Sequence, residues 1–219
     1  MNIYLSHRHP HADGVTPDTE LFQQALDELA QAGGGRLVVD CGRYALGGLR
    51  IGSNTCLWLS PGAELIVSEN YDDFAQATAL SRAESSDRAF LYAVDAQNIT
   101  ICGGGEIYGS ADGWFSRGVD AMGYRTPATA RPRIILLENC RRVRLENITV
   151  RHAPMWTIHL VSCTGVVVDG VTVDNDLTMA NTDALDIDSC QQVHIANSYF
   201  SAADDAICLK TTYKPERIQ

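Results

Sequence analysis

Three segments of the C-terminal half superimpose when aligned on a cysteine: "ILLENCRRVRLENITV" on Cys140, "IHLVSCTGVVVDGVTV" on Cys163 and "LDIDSCQQVHIANSYF" on Cys190. Three residues after each cysteine stand Val143, Val166 and Val193; five after stand Leu145, Val168 and Ile195; ten after stand Val150, Val173 and Phe200. Ahead of the cysteine, Ile135, Ile158 and Leu185 share one column, and Leu137, Leu160 and Ile187 share another. The intervals are 23 and 27 residues. A period of that size, carrying several short alternating runs, means a solenoid whose units bury their apolar faces only against their neighbours. The signature of leucine-rich repeats, with Asn or Cys at a fixed offset, is absent. Strands in every arm of the repeat predict a right-handed parallel β-helix, with same-column residues stacked about 4.8 Å apart.

The N-terminal half fits that frame. "TPDTELFQQALDELAQAGGG" predicts one short helix capping the solenoid, with Thr16 as cap, Pro17 in its first turn and Leu21, Ala25 and Leu29 on one face. Gly33 to Gly35 end it. "RLVVD", "LWLSPGAELIVS" and "FLYAVDAQNITICGGG" then alternate as strands between turns. The expected organisation is a single β-helix domain over residues 1–219. "SADGWFSRGVDAMGYRTPATARPR", residues 110–133, interrupts the repeat and reads as a loop over a cleft.

Extending the repeat 22 residues past Cys190 puts Thr212 in the cysteine place and Ile207 and Leu209 in the inward columns. The column seven residues before that place then reads Arg133, Trp156, Asp183, Asp205. Asp205 is thereby expected to stack on Asp183, with Asp204 beside it. Three converging carboxyls cannot all ionise without a large Coulomb penalty, so at least one should hold a proton near neutrality. A protonated acid beside an ionised base suits glycosidic bond hydrolysis. A hard cation held by oxygen ligands and three solvated turn aspartates are the alternatives. Lys210 and His159 are outward neighbours of inward residues on the same sheet, and His159 shares a column with Asp186. Trp156, in the aspartate column, reads as a cover for the core edge.

"NTDALDIDSC" followed by "SAADDAICLKT" resembles the N-T-D and D-D motifs of the polygalacturonase family, glycoside hydrolase family 28. "PMWTIHLVSC" is similar to the strand one coil earlier, and "DGVTPDTELFQQALDELAQAGGGRLVVD" to the entry of many bacterial members. The resemblance implies a metal-free, cofactor-free glycosidase that cleaves α-1,4-linked galacturonic acid in pectin or oligogalacturonides with inversion. Carried over by position, Asp204 is the general acid, and Asp183 and Asp205 hold and deprotonate the attacking water. The resemblance implies Lys210, His159, Asn181 and Asp186 as the substrate-binding set, with His159 equally readable as a structural histidine, and Arg125, Arg131 and Arg133 of the interrupting loop as carboxylate contacts. An inverting pair requires a gap of about 6.5–9.5 Å for that water. Ala184 and "SAADD" depart from the family's glycines, which matters only if a positive φ is needed there. The family's later glycine-histidine-glycine and arginine-x-lysine motifs are absent. The chain is therefore expected to be the N-terminal part of such an enzyme, weak or inactive alone. A pectate lyase-like enzyme on the same fold and an inactive carbohydrate-binding fragment are the other readings.

Composition narrows the partners. A formal charge of -10 argues against nucleic acid. No apolar run is long enough for a membrane-spanning helix. Seven cysteines, an odd number, fit a reducing compartment better than a disulfide framework. "MNIYLSHRHPHADG" lacks the pattern of a secretory signal, so the expected location is cytoplasmic, or secreted or periplasmic if a leader was removed. No metal spacing such as C-x-x-C occurs, and oligomeric state is not legible.

Overall fold

A computed structural model describes residues 1–76 and 86–212. Its backbone winds as a right-handed parallel β-helix, as the repeat predicts. Among the described residues, three long sheets run the length of the stack. The first holds Asn2–Tyr4, Gly35–Val39, Thr55–Leu59, Gln97–Cys102, Arg141–Glu146, Thr164–Asp169 and Gln191–Ala196. The second runs from Asp13–Pro17 to Tyr199–Ser201. The third runs from Leu49–Arg50 through Arg88–Val94, Arg133–Glu138, Ile158–Val161 and Leu185–Asp188 to Ile207–Lys210.

The register matches the columns read from the sequence. Ile135 pairs with Ile158, Ile158 with Leu185, and Leu185 with Ile207. Val143, Val166 and Val193 align in the first sheet, and Val150, Val173 and Phe200 in the second. These side chains fill the interior because a one-residue slip would turn every one of them outward. Cys140 and Cys163 are fully buried free thiols in that file, and Cys190 is half-buried. They behave as small hydrophobes. The inward columns end in Ile207 and Leu209, which are 46% and 74% exposed.

The capping helix spans Thr19–Gln31, starting later than the sequence suggested. Pro17 closes a strand, and the Thr16 hydroxyl donates to Asp13. Asp18 occupies the N-cap position, yet its carboxylate accepts from the His11 and Ala12 amides and does not cap the helix. The entering chain competes for that side chain and wins it. Phe22, Ala25, Leu26 and Leu29 form the buried face, with Leu21 only half-buried.

Candidate active site

The segment between Thr172–Asp174 and Leu185–Asp188 carries Asp183, and the segment between Tyr199–Ser201 and Ile207–Lys210 carries Asp204 and Asp205. A backbone bond locks these two segments together one coil apart, from the Ala184 amide to the Asp205 carbonyl at 2.9 Å, and the Thr157 amide of the preceding coil donates to the Asp183 carbonyl at 2.8 Å. Buried Asn175 fastens the lower segment from behind. Its side chain donates to Thr157 Oγ1 and the Thr182 carbonyl and accepts from the Ala153 amide. Thr182 Oγ1 in turn accepts from the Ala203 amide beside the doublet. Nothing in the repeat singles out Asn175 or Thr182, because both act through turn geometry and not through column identity.

The outcome is convergence. One carboxylate oxygen from each of Asp183, Asp204 and Asp205 lies within 4.8 Å of the other two. Asp204 and Asp205 are exposed, whereas Asp183 is 3% exposed and its Oδ1 has no hydrogen-bond partner. Burial first, then the negative charge of Asp204, pushes the Asp183 carboxyl up to about 6. The closest oxygens stand nearer than the gap typical of an inverting acid/base pair, so this spacing does not by itself carry the stereochemical expectation. Ala184 is buried without a positive φ, and neither Ala202 nor Ala203 adopts one, so alanine fits where glycine was expected. The left-handed residue of the N-T-D segment is Asn181, at φ 59°.

Below the trio lies a buried polar layer. Asp186 is fully buried, with the Lys210 ammonium 3.2 Å from its Oδ1. Burial first, and then Asp183, raises Asp186 to about 7 in spite of that cation. The Lys210 ammonium sits over the Trp156 ring at 4.3 Å from its centroid, and His159 meets the same ring edge-on at 4.9 Å. Trp156 thus belongs to this layer and does not merely cover the core edge. His159 is 2% exposed, which places it beneath the site and away from any sugar in this arrangement. Its Nδ1 is 3.4 Å from an Arg133 guanidinium nitrogen. Arginine only donates, so Nδ1 accepts and the ring proton sits on Nε2. Burial and then the Arg133 and Lys210 charges hold His159 far below its usual pKa, so the ring is neutral.

The loop arginines expected to meet substrate are structural instead. Arg131 is 3% exposed and donates to the Pro154 and Ala180 carbonyls and to Asn181 Oδ1. Arg133 is fully buried and donates to the Ser86 carbonyl. Arg125 pairs with Asp112 and bonds the Ser116 carbonyl. The loop is itself ordered by a hairpin, Phe115–Val119 with Arg125–Pro127, and its Arg125 amide donates to Thr178. It therefore walls the segment leading to Asp183. Asn181 is half-buried, its carbonyl oxygen taken by Arg131.

The raised carboxyls set a pH dependence. A group with a folded pKa above its unfolded value binds protons more tightly when folded, so its contribution to stability is present at low pH and lost as pH rises through the folded value. For Asp183 that loss falls between about pH 4 and 6, and for Asp186 between about pH 4 and 7. Depressed His159 acts in the opposite sense below its unfolded pKa, so Asp186→Asn is the reference that isolates one group. Its stability relative to the unsubstituted protein should improve steadily from about pH 4 to pH 7 in chemical denaturation and level off above that. A difference that is flat or reversed over that range would remove the buried-carboxyl account.

Known proteins share this fold. The model of glycosyl hydrolases family 28 matches residues 62–217. The chain belongs to this family. A Vitis vinifera protein described as "Probable polygalacturonase" is 27% identical over 210 residues, covering 91% of this chain and 42% of its own length. A polygalacturonase of Ralstonia nicotianae is 25% identical over 243 residues, covering 90% of this chain and 46% of its own. The hyperthermoactive exopolygalacturonase of Thermotoga maritima superposes with a TM-score of 0.82 at 25% identity, over 96% of this chain and 55% of that one. The chain thus spans less than half the length of those two curated relatives.

Proposed function

We propose that this family 28 chain carries the acid/base centre of a pectin-degrading glycosidase that hydrolyses α-1,4-linked galacturonate in pectic polymers or oligogalacturonides. The observation that carries the reading is the meeting of Asp183, Asp204 and Asp205 from two successive coils. Asp204, exposed at the mouth, donates a proton to the departing glycosidic oxygen. Asp183 and Asp205 hold a water against the anomeric carbon and take its proton, so the bond to the leaving sugar breaks as the bond to water forms. Asp183 must be ionised for this, and its pKa of about 6 leaves it available at neutral pH. Lys210 pins Asp186 below and keeps a positive charge near a site that must accept an anionic sugar. The family resemblance supports inversion, which converts an α-linkage into a β reducing end.

A cytoplasmic location, with short imported oligogalacturonides as substrates, is part of the proposal; free thiols at all seven cysteines support it. The test is incubation of the full-length protein with oligogalacturonides in the presence of a chelator. Saturated products with new reducing ends are expected. Unsaturated products, or activity that requires calcium, would favour a lyase.

A further inference from the structure

We infer that the outer face of the first sheet carries a second binding site for a uronic-acid polymer, away from the catalytic sheet. The ligand class rests on the function proposed above; the trough itself does not. Its origin is a size step between neighbouring coils. In register, Arg144 pairs with Val167 and Val167 with His194; two residues earlier, Arg142, Gly165 and Gln192 hold the same place in the three strands. The coil of Thr164–Asp169 therefore presents a hydrogen and a short apolar side chain, while the coils on either side present long polar ones.

The result is a trough of about 460 Å³ that runs along that strand, with Arg142 and Arg144 on one wall and Gln192 and His194 on the other. The walls stand two strand spacings apart, about 9.6 Å, which accepts one saccharide strand and not two. Its floor offers the Val167 side chain to the apolar face of a sugar ring.

Charge selects the occupant. Arg142 is exposed, and its guanidinium is held by amide oxygens, Asn98 Oδ1 at 2.5 Å and Gln97 Oε1 at 2.8 Å. Those neutral acceptors fix its direction and leave its positive charge uncompensated. Arg144 shares its charge with Glu146. Exposed Arg141 adds a third cation to the same strand, in "CRRVRLE". On a chain of net charge -10 this is a local reversal of sign, and the catalytic trio makes no use of it. A ring with one carboxylate and several hydroxyls matches guanidinium groups on one wall and amide and imidazole groups on the other. A polymer long enough to reach both trough and cleft gains avidity that a trisaccharide, too short to do so, lacks.

The test measures binding of long polygalacturonate to the full-length protein carrying Asp204→Asn, and to that protein with Arg142→Gln/Arg144→Gln or Val167→Asp added. Melting midpoints establish that each variant folds, and the negative charge added to the trough floor covers the case in which the arginine variant does not. Polymer affinity should fall about tenfold or more in both, and the loss should shrink at high salt. With Asp204 restored, trigalacturonate turnover should be unchanged. Undiminished polymer affinity in the folded variants, or no polymer binding by the parent, overturns the second site. If galacturonan is cleaved and affinity is undiminished, the trough fails and the function stands. If affinity falls and nothing is cleaved, the function fails and the trough stands.

Discussion

Replacing Asp204 by Asn in the full-length protein should lower kcat by about three to four orders of magnitude and leave the melting midpoint nearly unchanged. General acid catalysis contributes about 10²–10⁴ in rate, and an alkoxide leaving group sits at the demanding end of that range. Asn keeps the size and one hydrogen-bonding oxygen but has no acidic proton to give. The fold should tolerate it because Asp204 is exposed. Near-normal turnover with pectic substrates would withdraw the acid role from Asp204. A large loss accompanied by a collapsed melting midpoint would instead mark the residue as structural.

The second large effect concerns stability. Arg133→Ala should destabilise the protein by about 3–5 kcal/mol, the range for breaking a buried charged network by removing one partner. Arg133 is fully buried, one of its nitrogens bonds the Ser86 carbonyl at 2.7 Å, and another stands against His159. Burial lowers its own pKa to about 10, yet it remains cationic at physiological pH, and the buried Glu138 charge lies close enough to favour it. Truncation leaves a cavity, an unfilled carbonyl and a carboxylate that has lost its nearby positive charge. Arg133→Lys should recover only part of the loss, because a single ammonium cannot reproduce the planar fork. Denaturant titration decides it; a loss below about 1 kcal/mol would place Arg133 among ordinary surface arginines.

The contrast between these residues shows what a sequence makes visible. Ile135, Ile158, Leu185 and Ile207 were legible because burial of one face forces a strict repeat. Asp183 and Asp205 were legible for the same reason: counting back from a fixed column places them in register, and a backbone bond from Ala184 to Asp205 realises that register. Arg131 and Arg133 were not. In one dimension a loop arginine near an acidic site looks like a substrate clamp; only the closed packing of the loop shows Arg131 holding three main-chain and amide oxygens. His159 was placed in the correct outward column, but outward in a β-helix is not the same as solvated, because Arg133 and Trp156 pack over it. The helix starts later than Thr16 and Pro17 suggest for a local reason: the Thr16 amide and hydroxyl turn back to the Asp13 carboxylate, and Pro17 ends a strand.

The central claim is that water attacks the anomeric carbon directly within the three-carboxylate pocket. Proton NMR during the first minutes of oligogalacturonide cleavage reads this outcome before the anomers equilibrate. The account predicts that β reducing-end signals appear first and α signals follow by mutarotation, with no olefinic proton at any time. An α anomer released first, or an olefinic signal growing with cleavage, would contradict it.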